Sequence, residues 1–285
     1  MKRTACYCSL AAAMFVVMSV SGWADTVIYS TIPSPLPPNV PSQPYEAVSS
    51  AEFGDLISFG GTADLSTVTV AMSNWAYESE FESLGTSTGF DVPLTLNLYD
   101  VGAGESVGSL IATQTVDALI PWRPEPTPLT CAPGSNNDYM ASDGNCYAGS
   151  LSTVTFDFTG TLVPGDIIYG LAFNTADYGA DPTGVDGPYD SLNFGLSLVP
   201  PSVGSNPLPD TAYWNTTNAG FYTDDGAAGV GTFRQDTGWS PYSGMIEFDG
   251  TSPVPEPKQV IPITLLLAMI GFAAYRRSKG RGLET

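Results

Sequence analysis

The chain has 285 residues with 29 acidic and nine basic side chains, which give a formal net charge of −20 at pH 7. It contains no histidine, and this absence excludes Ser-His-Asp and Cys-His catalysis as well as histidine-ligated zinc. Because a strongly acidic surface repels phosphate backbones, we also expect no nucleic acid among the partners of this protein.

The amino-terminal segment has the three regions of a cleaved secretory signal peptide. Lys2 and Arg3 supply a positive start, residues 10–20 form an apolar core, and small residues precede Asp25. This core is short for a transmembrane helix, which makes a retained membrane segment the weaker alternative. The sequence therefore predicts a signal peptide over residues 1–24 and export by the secretion machinery.

Residues 25–252 form what we call the body of the chain. They hold 27 acidic residues and only two basic ones, Arg123 and Arg234, so the formal charge of the body is −25. The body has no lysine, which excludes Schiff-base chemistry, and an enzyme here would need a carboxylate pair or a calcium ion. We expect one domain over this range and no enzymatic activity.

Nine short runs of alternating or β-branched residues, bounded by turn-forming residues, predict β-strands in the body. They cover residues 26–29, 56–59, 67–72, 93–101, 109–116, 152–158, 166–174, 191–199 and 245–248. Where apolar side chains occupy every second position, one face of the strand is buried and the other meets water. The predicted fold class is therefore all-β, with the body an antiparallel β-sandwich or jelly roll.

Long connections rich in Pro, Gly and Asp separate these strands. They cover residues 33–48, 76–91, 121–148, 175–190 and 200–231. Cys131 and Cys146 lie in the third of them and are expected to pair in an oxidising compartment. Closing a loop of that size stabilises the folded state by up to about 3 kcal/mol. A zinc site is the alternative to this disulfide, but it lacks further ligands.

Four aspartates in the fourth connection give the body its strongest signal for a metal ion. Asp177, Asp181, Asp186 and Asp190 stand among glycines and prolines, and carboxylates with turn carbonyls are the ligands of Ca²⁺. No EF-hand spacing is present. Aspartates in such loops more often form turns by accepting hydrogen bonds from nearby backbone, so calcium remains the less favoured of two interpretations and no other cofactor is expected.

Trp75, Trp122, Trp214 and Trp239 offer flat faces on which sugar rings stack, so extracellular polysaccharide is a candidate partner. Aromatic side chains are more often packed in a core. Glycan binding is favoured only if two or more of these rings are exposed on one side of the domain.

Other acidic and glycine-rich segments give weaker signals for chemistry. Glu78, Glu80 and Glu82 alternate, so in a strand they would repel one another, and a solvated acidic loop is favoured over a carboxylate-pair hydrolase. Residues 102–108 are rich in glycine, but a strand follows them where a nucleotide-binding loop requires a helix. That segment predicts a hairpin turn.

The carboxyl-terminal tail has three parts in a fixed order. A Pro-rich segment over residues 253–257 precedes an uncharged apolar run over residues 260–275, and a basic cluster follows. The cluster consists of Arg276, Arg277, Lys279 and Arg281. Sixteen helical residues rise about 24 Å, short of the roughly 30 Å hydrocarbon core. The run thus predicts a single transmembrane helix, with the basic residues stopping transfer and remaining in the cytoplasm.

This order of parts resembles the PEP-CTERM sorting signal of Gram-negative bacteria. In that family an intramembrane exosortase recognises a Pro-Glu-Pro motif and cuts near it. The resemblance implies that Pro255, Glu256 and Pro257 are the motif of a sorting signal over residues 253–281. It also implies transient anchoring in the inner membrane, followed by delivery to the cell surface or extracellular matrix. An ordinary membrane anchor is the alternative.

The body also resembles an uncharacterised secreted domain that is often found ahead of such signals. The matching segments include residues 52–55, 120–124, 188–193 and 210–215, and the likeness runs over most of residues 26–248. It implies exported β architecture and no catalytic residue. Ice binding, a label sometimes given to proteins with this tail, is not favoured because Thr-x-Thr pairs such as Thr67/Thr69 and Thr153/Thr155 are isolated and form no ladder of fixed period.

The sequence thus favours an exported, non-enzymatic protein of the cell surface or the extracellular polysaccharide matrix. A glycan- or Ca²⁺-binding adhesion module is the alternative, and a secreted hydrolase ranks third.

Overall fold

The computed structural model describes residues 25–131 and 137–251 of the chain. These residues form fifteen strands and five 3-10 turns of three or four residues. The strands are β1 (Thr26–Ser30), β2 (Ser42–Pro44), β3 (Ser50–Ser58), β4 (Ala63–Asn74), β5 (Gly89–Val101), β6 (Val107–Pro121), β7 (Tyr139–Met140), β8 (Cys146–Tyr147), β9 (Ser150–Val163), β10 (Asp166–Ala172), β11 (Leu192–Ser197), β12 (Thr211–Thr216), β13 (Arg234–Thr237), β14 (Ser243–Gly244) and β15 (Ile246–Thr251). The all-β prediction is confirmed.

Two large antiparallel sheets contain most of these strands. In the seven-stranded sheet β1, β15, β4, β11 and β14 are neighbours in that order, while β9 pairs with β4 and β2 pairs with β11. The order in the six-stranded sheet is β13, β12, β3, β10, β5 and β6. A separate hairpin consists of β7 and β8. Every pairing between these named strands is antiparallel.

Alternation of apolar and polar residues gives the sheets their buried faces. In β4, Val68, Val70 and Met72 are fully buried, while Thr67 and Thr69 lie on the opposite face of the pleat and are partly exposed. The buried faces of both sheets contribute to one core. The rings of Phe53 in β3 and Phe194 in β11 meet edge to face, with their centroids 6.3 Å apart. The arrangement is therefore sandwich-like.

Each of the nine predicted strands overlaps a strand of the structure. Three predicted connections are wrong in part: residues 33–48 contain β2, residues 121–148 contain β7 and β8, and residues 200–231 contain β12. Five of the six residues of β12 are buried. Trp214 faces the core between the sheets, whereas Tyr213 belongs to a second, smaller cluster. Since both faces of β12 are covered, its side chains do not alternate in polarity and give no period of two.

A pair of glycines brings β3 and β10 unusually close at one point. Gly54 lies directly opposite Gly170 in the register of the two strands. A Cβ added at Gly54 would lie 1.7 Å from the carbonyl oxygen of Tyr169, and one at Gly170 would lie 2.2 Å from Oε1 of Glu52. Any larger residue would clash, so Gly54 admits the main chain of Tyr169 and Gly170 makes room for the Glu52 carboxyl group.

Two of the predicted loop conformations are confirmed. Residues 102–108 connect β5 and β6, which form the two arms of one antiparallel hairpin. The acidic segment contains the 3-10 turns Glu78–Glu80 and Glu82–Leu84, so its glutamates do not line one face of a strand.

The two predicted targeting segments, residues 1–24 and 253–281, lie outside the described residues. Within the described ranges, no helix has the length and apolar character needed to cross a membrane.

Candidate functional site

An open cleft with a volume of about 600 Å³ lies where β4 ends, beside β2 and β11. Its most conspicuous side chain is Trp75, which is 43% exposed. The cleft is lined by Val40, Pro41, Ser42, Pro44, Ala47, Trp75, Asp190, Ser191 and Asn193. Clefts that bind small molecules typically measure about 300–1,000 Å³ and combine apolar walls with a few polar groups. This one has both properties.

Trp75 is exposed but firmly held. Its backbone N–H donates to the carbonyl oxygen of Ser191 over 3.0 Å, and its own carbonyl oxygen accepts a hydrogen bond from Nε of Arg123 over 2.7 Å. The indole N–H donates to Oγ of Ser73 over 3.0 Å. Three hydrogen bonds thus fix both the main chain and the ring, and the ring is ordered before any ligand arrives.

Arg123, one of the two basic residues of the body, lies beneath this tryptophan. It is 3% exposed, and its guanidinium group lies over the ring of Tyr77, with Cζ 4.5 Å from the ring centroid. Nη1 donates to the carbonyl oxygen of Pro124 over 3.1 Å. Burial lowers the pKa of Arg123 from its usual value. This cation therefore supports the backbone of Trp75 and presents no positive charge to the cleft.

The disulfide predicted between Cys131 and Cys146 is confirmed, with the two Cα atoms 5.8 Å apart. It braces the β7–β8 hairpin, in which the hydroxyl group of Tyr139 donates to the carbonyl oxygen of Gly149 over 3.1 Å. Gly149 in turn contacts Trp75, because a Cβ there would lie 2.5 Å from the indole nitrogen. The disulfide loop is thus one of the supports of the exposed ring.

Asp190 belongs to the wall of the same cleft and holds a loop in place. Its Oδ1 accepts a hydrogen bond from the backbone N–H of Ala176 over 2.7 Å, and its Oδ2 accepts one from that of Gly187 over 2.8 Å. Both carboxylate oxygens therefore bond the chain of the connection in which they lie. This is the turn-forming role that the sequence favoured for the residue.

The structure does not gather the four candidate calcium ligands, Asp177, Asp181, Asp186 and Asp190, into a metal site. Within residues 25–131 and 137–251 no group of three carboxylates or cysteines is close enough to hold an ion. Asp186 lines a different cleft, together with Phe81. Calcium therefore has no ready-made cage in the described part of this connection.

The four tryptophans of the body do not share one exposed face. Trp214 is 2% exposed, and its ring lies edge to face with that of Trp239, with 5.4 Å between their centroids. Trp122 stacks on Phe81 with 5.9 Å between centroids. Trp75 is the exposed member of the four, so a platform of several tryptophans is absent while a single-ring site is present.

Two acidic side chains are buried in β3, and neither forms an ion pair with a basic residue of the described ranges. Oε1 of Glu52 accepts hydrogen bonds from Nδ2 of Asn97 and from the hydroxyl group of Tyr99, both over 2.9 Å. The carboxyl group of Asp55, which is 1% exposed, accepts hydrogen bonds from the backbone N–H of Leu56 and from Nδ2 of Asn206. Burial raises the pKa of Glu52 and raises that of Asp55 well above its usual value.

Glu52 and Asp55 point to opposite sides of their sheet. Asp55 shares the face of Phe53 and Ile57, which belong to the core between the sheets. Glu52 shares the outer face with Leu56, a member of the second cluster, because successive side chains of a strand alternate. These two carboxyl groups therefore cannot flank one glycosidic bond, as a carboxylate-pair hydrolase requires.

Sequence reasoning missed the residues that build the cleft around Trp75. Ser42, Ser191 and Asn193 come from separate strands and turns and carry no local pattern. Arg123 had one usable signal, because a cation that is nearly unique in an acidic domain is a candidate for a buried structural role. The sorting residues Pro255, Glu256 and Pro257 and the basic cluster over residues 276–281 lie outside the described residues.

Comparison of the chain with protein-family models, with curated proteins and with solved structures gives no match. The function therefore has to be argued from the residues themselves.

Proposed function

We propose that this protein is an exported, non-enzymatic component of the cell surface or extracellular polysaccharide matrix, sorted by exosortase-type processing of its carboxyl-terminal tail. One observation carries the proposal. A Pro-Glu-Pro motif, an apolar run of sixteen residues and a basic cluster occur in that order at the end of the chain. A signal-peptide pattern stands at the other end, so each end of the chain has features of a targeting segment.

The physical chemistry of the tail fits a segment that resides in the membrane briefly. Its apolar run is shorter than a bilayer core, which a permanent anchor would tolerate poorly. The basic cluster, Arg276, Arg277, Lys279 and Arg281, resists translocation and orients the helix with its end in the cytoplasm. The motif Pro255-Glu256-Pro257 then lies on the outer side, where the processing enzyme acts.

The body has the properties of cargo that works outside the cytoplasm. It is an antiparallel domain, which we propose is a β-sandwich or jelly roll over residues 25–252, and it contains the Cys131–Cys146 disulfide. Disulfides persist in oxidising compartments. Its formal charge of −25 keeps it soluble and away from anionic lipid.

The substitution Glu256→Ala tests the sorting proposal in the native host. We expect normal export and removal of the signal peptide, but no processing at the tail, because the carboxylate of the motif is lost. Glu284→Ala, which removes the other acidic residue of the tail, is the matched control and should be processed normally. Intact-mass measurement of the recovered protein reports both cleavages, and normal trimming of the Glu256→Ala variant would refute the assignment.

Glycan binding in an adhesion module is a second candidate function. The condition of two or more tryptophans exposed on one side is not met, and this candidate rests instead on the single exposed ring of Trp75 in a cleft with polar walls. A calcium-dependent module and a carboxylate-pair hydrolase receive no comparable support, because the described acidic groups form neither a metal cage nor, in Glu52 and Asp55, a pair on one face.

A further inference from the structure

We infer that the Trp75 cleft is a binding subsite for one neutral pyranose unit of a polysaccharide. This inference rests on the glycan-binding function proposed above and gives that function its site and ligand class. The C–H groups on one face of a pyranose ring are apolar and pack against an indole face, while the hydroxyl groups at the ring edge need hydrogen-bonding partners. The cleft offers both kinds of contact.

The indole ring is a preorganised platform. An exposed tryptophan usually has rotamer freedom that binding must remove, and ordering a side chain costs about 0.5–1.5 kcal/mol. The side chain of Trp75 is already held by its hydrogen bond to Ser73, and its main chain by those to Ser191 and Arg123. Gly149 lies close to the indole nitrogen and Cδ1, while the residue as a whole is 43% exposed.

Polar groups stand beside this platform. Nδ2 of Asn193 donates to Oγ of Ser42 over 3.1 Å, which fixes both side chains in the wall of the cleft. In the described part of the chain, neither Oδ1 of Asn193 nor the hydroxyl proton of Ser42 has another partner. One acceptor and one donor are therefore available for the hydroxyl groups of a sugar.

The charge of the site selects a neutral sugar. Asp190 belongs to the wall, the body carries a formal charge of −25, and Arg123, the cation that contacts Trp75, is buried with its Nε committed to the carbonyl oxygen of that residue. A uronate or sulfated sugar would be repelled without a compensating positive group. A neutral hexose polymer meets no such penalty.

The experiment measures binding of the complete chain to four purified polymers: dextran, laminarin and galactomannan, which are neutral, and alginate, which is a polyuronate. The protein is held in a zwitterionic detergent so that no sugar headgroup competes. Isothermal titration is performed on the wild type, on Trp75→Ala, on Trp75→Phe and on Phe221→Ala. Phe221 is 39% exposed and lies outside the cleft, which makes it the matched control, and melting curves establish that each variant is folded.

We expect at least one neutral polymer to bind, with about tenfold or greater weakening in Trp75→Ala, a smaller loss in Trp75→Phe and no change in Phe221→Ala. Equal affinity of Trp75→Ala and wild type would overturn the site while leaving glycan binding in place. Failure of the wild type to bind any of the four polymers would overturn both the site and the glycan-binding function, and binding of alginate alone would overturn the neutral-ligand assignment. None of these results bears on the sorting proposal, which the Glu256→Ala substitution tests separately.

Discussion

At the scale of single residues, Asp55 is the most unusual group in the domain. It is a carboxyl group in the core between two sheets, with hydrogen-bond donors around it and no ion pair to a basic residue in the part of the chain that the structure describes. Its charge also contributes, after burial, to raising the pKa of Tyr29 and of Tyr169. Burying an uncompensated carboxylate is costly, so folding favours the protonated form and raises the pKa of Asp55.

Because the pKa of Asp55 is raised in the folded state, its contribution to stability should decrease as the pH rises. The folded state binds the Asp55 proton more tightly than the unfolded chain does. The stabilising contribution is fully present below the unfolded pKa of about 3.9 and is lost as the pH rises through the higher folded value. Glu52, whose pKa is also raised by burial, contributes in the same direction.

Asp55→Asn should therefore flatten the pH dependence of stability. We expect the wild type to melt at a lower temperature near about pH 8 than near about pH 5, and the variant to lose much of this difference. At the higher pH the variant should gain about 2–4 °C for each kcal/mol of charge burial that it relieves. Melting curves followed by circular dichroism across this range provide the measurement.

Asp157→Asn is the matched control for this prediction. Asp157 is exposed, and hydrogen bonds from the side chain and backbone of Thr159 lower its pKa. Its removal should leave the difference between the two pH values intact. An Asp55→Asn variant with the same pH dependence as the wild type would contradict the proposed role of the buried carboxyl group.

At the scale of elements, the β7–β8 hairpin links the Cys131–Cys146 disulfide to the candidate site. The disulfide between Cys131 and Cys146 holds the hairpin, Tyr139 bonds Gly149, and Gly149 contacts the ring of Trp75. None of these residues belongs to the core strands of the sheets. The order of Trp75 thus depends in part on a loop that the disulfide constrains.

The double substitution Cys131→Ser with Cys146→Ser should lower the free energy of unfolding by up to about 3 kcal/mol, because the unfolded chain regains loop entropy. The indole N–H signal of Trp75 in an NMR spectrum should shift and broaden, whereas that of the buried Trp214 should not. Chemical denaturation gives the stability change. A reducing agent should reproduce these effects in the wild type and have no further effect on the variant. If the Trp75 signal of the variant does not change, the disulfide does not contribute to the order of the cleft.

At the scale of the whole molecule, acidic charge dominates. The described residues contain one ion pair, between Arg234 and Asp224 over 2.7 Å, so most carboxylates of the domain are not neutralised by a direct partner. Repulsion among exposed like charges destabilises the compact state, and added salt screens it. This repulsion should largely disappear near the isoelectric point of the sequence, about 4.1, because many carboxylates are protonated at that pH.

Salt should therefore stabilise the protein in a pH-dependent way. We expect the melting temperature at about pH 7 to rise when sodium chloride increases from about 0.02 M to about 0.2 M, because the screening length falls from tens of ångströms to under about 10 Å. The same change at about pH 4 should have a much smaller effect. Equal salt responses at the two pH values, measured by calorimetry, would show that charge repulsion does not limit stability.

Four features could be predicted from the amino-acid sequence alone: the all-β class, the approximate positions of nine strands, the hairpin turn over residues 102–108 and the Cys131–Cys146 bond. Each of these depends on residues close together in the chain: alternation with a period of two, turn-forming residues at strand ends, and two cysteines in one loop.

Three features could not be predicted in this way, because they arise from packing between distant segments: which tryptophan is exposed, which cation supports it and which way the buried acids face. Arg123 and Trp75 are 48 residues apart. Both faces of β12 are covered by elements that cannot be identified from the sequence of β12. Burial and exposure are properties of the packed molecule, because they depend on which distant segments come to lie on each face of a strand.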